Sequence, residues 1–224
     1  MSATAEMNAS FAGNPLPMMG LLALMALVPF AVVMLTSFSK MAVVLSLVRS
    51  ALGTQQAPPT IVLTGLAAVL SAHVMAPVFE QIFASAKATY ELHPTGDQLV
   101  DAAGPTLQPL KDFLEKHGGS EEQARFLDMA RELRPKEQAG SVSEHDLTVV
   151  IPAFVITELK EAFTIGFLIF LPFLVLDMLI ANVLLALGMQ TLSPSQVSLP
   201  FKVLLFVAVD GWSLLARGLI LGYR

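Results

Sequence analysis

Apolar residues fall in long continuous blocks along this chain rather than in alternation. The longest opens near Pro152 and reaches Gly188, and from Ala162 to Gly188 its only charged side chain is Asp177. A run of about 18 or more such residues is long enough to cross a bilayer. A second run, Phe201 to Leu221, is interrupted by Lys202, Asp210 and Arg217. Each ionisable group inside an apolar helix costs roughly 2.5–3.5 kcal/mol on insertion scales, so such groups face protein or water rather than lipid. The pattern therefore predicts helices that pack around something polar.

Two further blocks precede these. Leu16 to Val48 contains Pro29 and, late, Lys40. As one helix it is about 50 Å long against a hydrocarbon core of about 30 Å, so it must kink, tilt or protrude. Pro29 removes a backbone donor and is the expected kink. The Gly53–Pro59 turn ends this block. Thr60 to Phe83 follows, rich in small residues (Gly65, Ala67, Ala68, Ser71, Ala72) that permit close helix approach, with Pro77 expected to kink or end it.

Ala84 to Val149 is the one polar region. Pro105 to His117 reads as a helix stopped by Gly118-Gly119. Ser120-Glu121-Glu122-Gln123 has the form of a capping box for a second helix reaching about Leu133. Pro135 to Val142 is expected to be mobile. The third block is capped by Ser143 or Asp146, and Gly166 and Pro172 are its weak points. Met189 to Leu199 is expected to be a loop, with Pro200 opening a last helix to the C-terminus. The chain thus divides into an apolar hairpin over 1–83, a mostly helical polar region over 84–150, and an apolar hairpin over 151–224 with its loop at 188–199. Arg49 and Lys202 beside the short loops place those loops on the cytoplasmic side and the polar region outside.

Composition agrees. Hydrophobic residues make up 54% and charged residues 14%, below the roughly 25% of soluble domains, and mean hydropathy is +0.68. Continuous runs specify helices and not a barrel. The fold class is all-α, of integral membrane type. There is no cysteine, which removes disulfide and thiolate chemistry. The four histidines, His73, His93, His117 and His145, have no helical-spacing partner, so no metal or cofactor is expected. The net charge of −5 argues against nucleic acid. The polar N-terminal stretch, Met1 to Asn14, has no Lys or Arg, unlike a signal peptide's basic opening, so the first apolar run is expected to be retained.

The charges inside the apolar runs are the candidate functional residues. Lys202, Phe206, Asp210, Ser213 and Arg217 share one helix face; Lys202 and Arg217 either belong to that face or snorkel at its ends. An antiparallel hairpin turning near Ser193-Pro194 sets Asp177 level with Asp210, where two carboxylates need different faces, a shared proton or a basic partner. On that register Lys202 lies about 12 Å from Asp177, beyond its reach. It is expected to meet an acidic group of an adjacent subunit. Glu158 and Glu161 share a face and Lys160 points elsewhere. This patch is either a solvated helix entrance or an intersubunit electrostatic belt. No phosphate loop or nucleophile elbow is present, and no enzymatic role is expected.

The run Pro152-Ala153-Phe154-Val155-Ile156-Thr157-Glu158-Leu159-Lys160-Glu161-Ala162-Phe163-Thr164-Ile165-Gly166-Phe167 resembles the signature of the FliP/SctR family. Phe170-Leu171-Pro172-Phe173 with Asp177, Ser198-Leu199-Pro200-Phe201-Lys202, Val209-Asp210-Gly211-Trp212, Phe38-Ser39-Lys40 and Leu52 to Pro59 fit it too. The resemblance implies a core subunit of the type III export apparatus. It implies a pentamer that joins small hairpin subunits and one larger related subunit in a helical, staggered gate. Unfolded substrate proteins pass through the centre of that gate. It implies the bacterial inner membrane, contact with its lipids, and a complex raised toward the periplasm. In the family the loop between the last two helices carries a methionine gasket. Here that loop reads Met189-Gln190-Thr191-Leu192, with only Met189 retained, so the seal is thinner or includes Leu192. Thr164 stands where many relatives carry a longer polar residue. Without a leader, the chain looks more like an injectisome member than a flagellar one. Two other readings are an inert scaffold and an ion- or proton-coupled solute transporter with Asp177 and Asp210 as its relay.

Overall fold

A computed structural model describes residues 15–54, 57–92, 99–189 and 191–224. Expectations about Met1 to Asn14 and Gln190 fall outside it. Among the described residues the chain forms helices and no strands: α1 (Pro15–Met34), α2 (Phe38–Leu52), α3 (Thr60–Leu92), α4 (Leu99–His117), α5 (Ser120–Glu132), α6 (Lys136–Ala139), α7 (Leu147–Ala186), α8 (Pro194–Ala208) and α9 (Gly211–Leu221).

Helix α2 is the centre of the core. Met41, Val44, Leu45, Val48 and Leu52 recur at helical spacing and are buried. The helix lies between α7, its most extensive neighbour, and α3, and its end meets α8. Gly166 of α7 makes the α2–α7 approach possible. A Cβ there would come within 2.2 Å of Leu47 Cδ1. Gly166 is therefore a contact point and not a break.

The first apolar block breaks at 35–37, and α1 runs through Pro29. The polar side chains at the break explain its position. Thr36 Oγ1 donates to Val32 O at 2.5 Å and accepts from Phe38 N at 3.3 Å. These bonds compete with the helix ladder. The Ser37 hydroxyl donates across to Ser71 of α3 at 3.0 Å. Pro77 likewise lies inside α3, which continues to Leu92.

In the polar region α4 ends at His117 as expected but opens earlier, at Leu99. Gly118-Gly119 does more than stop it. Thr157 of α7 donates to Gly118 O at 2.9 Å, and Gly119 adopts φ +60, so the turn seats on α7. The expected capping box does not form: Gly119, not Ser120, occupies the cap position, and Gln123 Nε2 donates to Glu115 O at 2.8 Å. The 135–142 stretch contains α6, and Val142 is buried. The α5 helix packs on α7, and α4 packs on α3 and α7.

Helix α7 has 40 residues, about 60 Å at 1.5 Å per residue, and runs through Pro172. Asp146 precedes it, its carboxylate accepting from Ser143 N at 3.1 Å. Gly188 ends it at φ +72. Gly188 N donates to Leu185 O at 3.0 Å and Met189 N to Leu184 O at 2.9 Å, the paired bonds of a Schellman cap. The final hairpin arm opens at Pro194, not Pro200, and is broken at Val209-Asp210, where α8 and α9 meet at 60°. Among the described residues α3 and α7 are each long and apolar enough to cross a membrane; four spans result if each bent pair, α1–α2 and α8–α9, counts as one.

Candidate functional site: two buried charge clusters and a hairpin tip

The first cluster joins α2, α7 and the tail after α9. Lys40 Nζ lies 2.9 Å from Glu158 Oε1 and 2.6 Å from Glu161 Oε2. Glu158 and Lys40 are 1% and 3% exposed, so each charge depends on the other for solvation. The Tyr223 hydroxyl donates to the second Glu158 oxygen, and its ring centroid lies 4.2 Å from Lys40 Nζ. Glu158 and Glu161 do share a face, and it is the Lys40 face.

Lys160 points to another neighbour, as the spacing predicts. Its ammonium lies 2.8 Å from Glu122 Oε1 on α5, and Arg125 approaches the same oxygen at 3.4 Å. The Lys160 hydrogen bond is the main cause holding the Glu122 carboxyl below its usual range, against partial burial. In one chain the charged patch is thus partly an interhelix clamp: Glu161 and Lys160 are exposed while Glu158 is enclosed.

The second cluster corrects the sequence-based register. Lys202 Nζ lies 2.6 Å from Asp177 Oδ2 in the same chain. The described residues between Leu187 and Ser193 are not helical and add no helical rise to either arm. Counting them as helix displaced the level of Asp177 along the last arm. Lys202, not Asp210, stands opposite it. Ser198, one turn before Lys202, donates to the other Asp177 oxygen. Lys202 also donates to Ala51 O at 3.4 Å, placing a cation against the carbonyl end of α2. One ammonium, 4% exposed, therefore ties three helices together.

Asp210 is exposed, not enclosed mid-span. It sits at the α8–α9 break with φ 52, a left-handed conformation that Asp tolerates better than most residues. Asp177, engaged with Lys202 and Ser198, and Asp210, at the bend, do not form a pair. Phe206 packs its ring over Gly211 and meets Trp212 edge-on at 5.1 Å. At the hairpin tip Leu187, Met189 and Leu192 are 66%, 44% and 43% exposed, and Thr191 is exposed.

The sequence profile of the FliP family matches residues 21–219. The chain belongs to the FliP family. It is similar to Yop proteins translocation protein R of Yersinia pestis, 45% identical over 205 residues that cover 90% of this chain and 93% of the relative. Hypersensitivity response secretion protein HrcR of Ralstonia nicotianae is 45% identical over 203 residues, 89% of this chain and 93% of the relative. Flagellar biosynthetic protein FliP of Bacillus subtilis is 42% identical over 200 residues, 89% and 88% respectively.

In this FliP-family chain three site residues escaped the sequence reading. Lys40 stands in the sequence as an interruption of an apolar block and in the family-like run Phe38-Ser39-Lys40, neither of which names its partner. Ser198 carries a faint signal, its four-residue spacing from Lys202. Tyr223 carries none, being one aromatic after an apolar helix. Its neighbours Phe113 and His117, at 5.9 and 5.0 Å between ring centroids, come from the polar region.

Proposed function

We propose that this chain is a pore-forming core subunit of a type III protein export gate in the bacterial inner membrane, conducting unfolded substrate proteins. The names of its relatives, a secretion protein, a translocation protein and a flagellar biosynthetic protein, support a role in protein export. The observation that carries the finer reading is the hairpin tip. Its apolar side chains stand in the open, on arms pinned in register by Lys202 and Asp177. A flexible thioether beside leucines is suited to a seal that deforms around a passing chain.

In this reading Met189, Leu192 and Thr191, with Gln190, surround the closed path. Copies of the chain cover one another's apolar faces as a homopentamer, joined by small hairpin subunits and a larger related one. The 84–150 region faces the periplasm and the complex is raised toward it. Motive energy comes from elsewhere in the machine. The test is small-molecule leakage through the assembled complex. Met189→Ala should raise it. Unchanged permeability would remove Met189 from the seal. Native mass spectrometry of the purified complex reads the copy number.

A further inference from the structure

Tyr223 links α4 to the buried charge cluster through a single ring. Lys40 Nζ lies 4.2 Å from its centroid and its hydroxyl is bound to Glu158. Phe113 stacks on it at 5.9 Å and His117 meets it edge-on at 5.0 Å. His117 is the last residue of α4 and also touches Phe113, at 4.8 Å. The end of α4 therefore docks on a ring that already faces the Lys40 ammonium.

The elements packed there, α9 with Ile220 apart, contribute charge or a titratable group. His73 comes from α3, Asp112 and Lys116 from α4, and Arg224 from the tail. All four line one cavity of about 410 Å³ with His117. Lys40 comes from α2, and Glu158 and Glu161 from α7. The acids are engaged: both glutamates hold Lys40, and Asp112 accepts from Gln108 at 2.7 Å. Burial first, then Lys116 and Lys40, lower the His117 pKa below its ordinary value, and only Glu161 opposes them. The docked imidazole is therefore neutral at neutral pH.

We propose that the contact of His117 with Tyr223 is a pH-operated latch, closed while the imidazole is neutral and released when protonation brings a second cation to the ring bearing Lys40. The undocked state binds the proton more tightly. Docking is complete above the undocked value, about 6.5, and weakens as pH falls below it. Release opens the cavity between α3, α4 and the tail.

Hydrogen exchange of the full chain in its detergent-extracted complex tests this. Protection of peptides over 105–117 is divided, at each pH, by that of the α2 core over 41–48. In the wild type the ratio should fall between pH 7.5 and 5.5, by no more than about tenfold per pH unit because one proton is linked. His117→Phe keeps the ring and cannot charge, so its ratio should stay flat. His117→Arg should be unprotected at both values. A flat wild-type ratio overturns the latch, as does an acid response of equal size in His117→Phe.

Discussion

Lys40 and Glu158 carry the sharpest energetic consequence in the molecule. Each is nearly sealed from water and each solvates the other. Lys40→Met should cost about 3–5 kcal/mol, because it strands a buried carboxylate. Adding Glu158→Gln should restore much of that loss. Thermal unfolding of the single and double variants in detergent reads both effects. A single variant as stable as wild type would remove the pair from the stability account. The sequence displayed half of this site. Spacing alone puts Glu158 and Glu161 on one face and Lys160 on another. It is silent on Lys40 and Tyr223, because the pairing joins residues more than a hundred positions and 65 positions away, respectively, and neither lies in a local pattern.

Elements were legible where a continuous pattern made them and illegible where a local competition broke them. Long apolar runs mark α3, α7 and the final hairpin. Their breaks do not follow proline. The α1–α2 break lies at Thr36-Ser37, whose hydroxyls capture backbone and cross-helix partners, while Pro29, Pro77 and Pro172 stay inside helices. The α2–α7 contact yields one prediction. Gly166→Val would meet the Cβ, Cγ and Cδ1 atoms of Leu47, the last at 2.2 Å, and should destabilise by about 1–3 kcal/mol as overpacking does. Leu47→Ala should rescue it, and failure of rescue would place the strain elsewhere. The α5–α7 clamp yields another. With the Glu122 carboxyl depressed by its hydrogen bond to Lys160, the clamp is fully present above the usual carboxylate value of 4.5. It is lost as pH falls through the lower, folded value. Glu122→Gln should flatten the acid limb of α5 exchange protection; an unchanged limb would assign the acid dependence to another group.

The whole molecule is defined as much by what it leaves open as by what it buries. Phe163, Phe167, Leu171, Leu174 and Met178 are exposed along α7, a surface that requires lipid or protein neighbours. In the last hairpin the non-helical residues at the tip add no helical rise, which sets Lys202 and not Asp210 opposite Asp177. With Lys202 opposite Asp177, the tip is held by a buried ion pair within one chain and presents Met189 and Leu192 outward. The central claim is that this tip lines the path of exported protein. The chain has no cysteine, so Met189→Cys and Leu192→Cys each introduce a unique thiol. Site-specific crosslinking in cells, with an export substrate trapped in transit, measures the claim directly. The account predicts adducts with the substrate from both positions and none from Leu174→Cys, exposed on α7 away from the tip. Substrate adducts at Leu174 with none at the tip would contradict it.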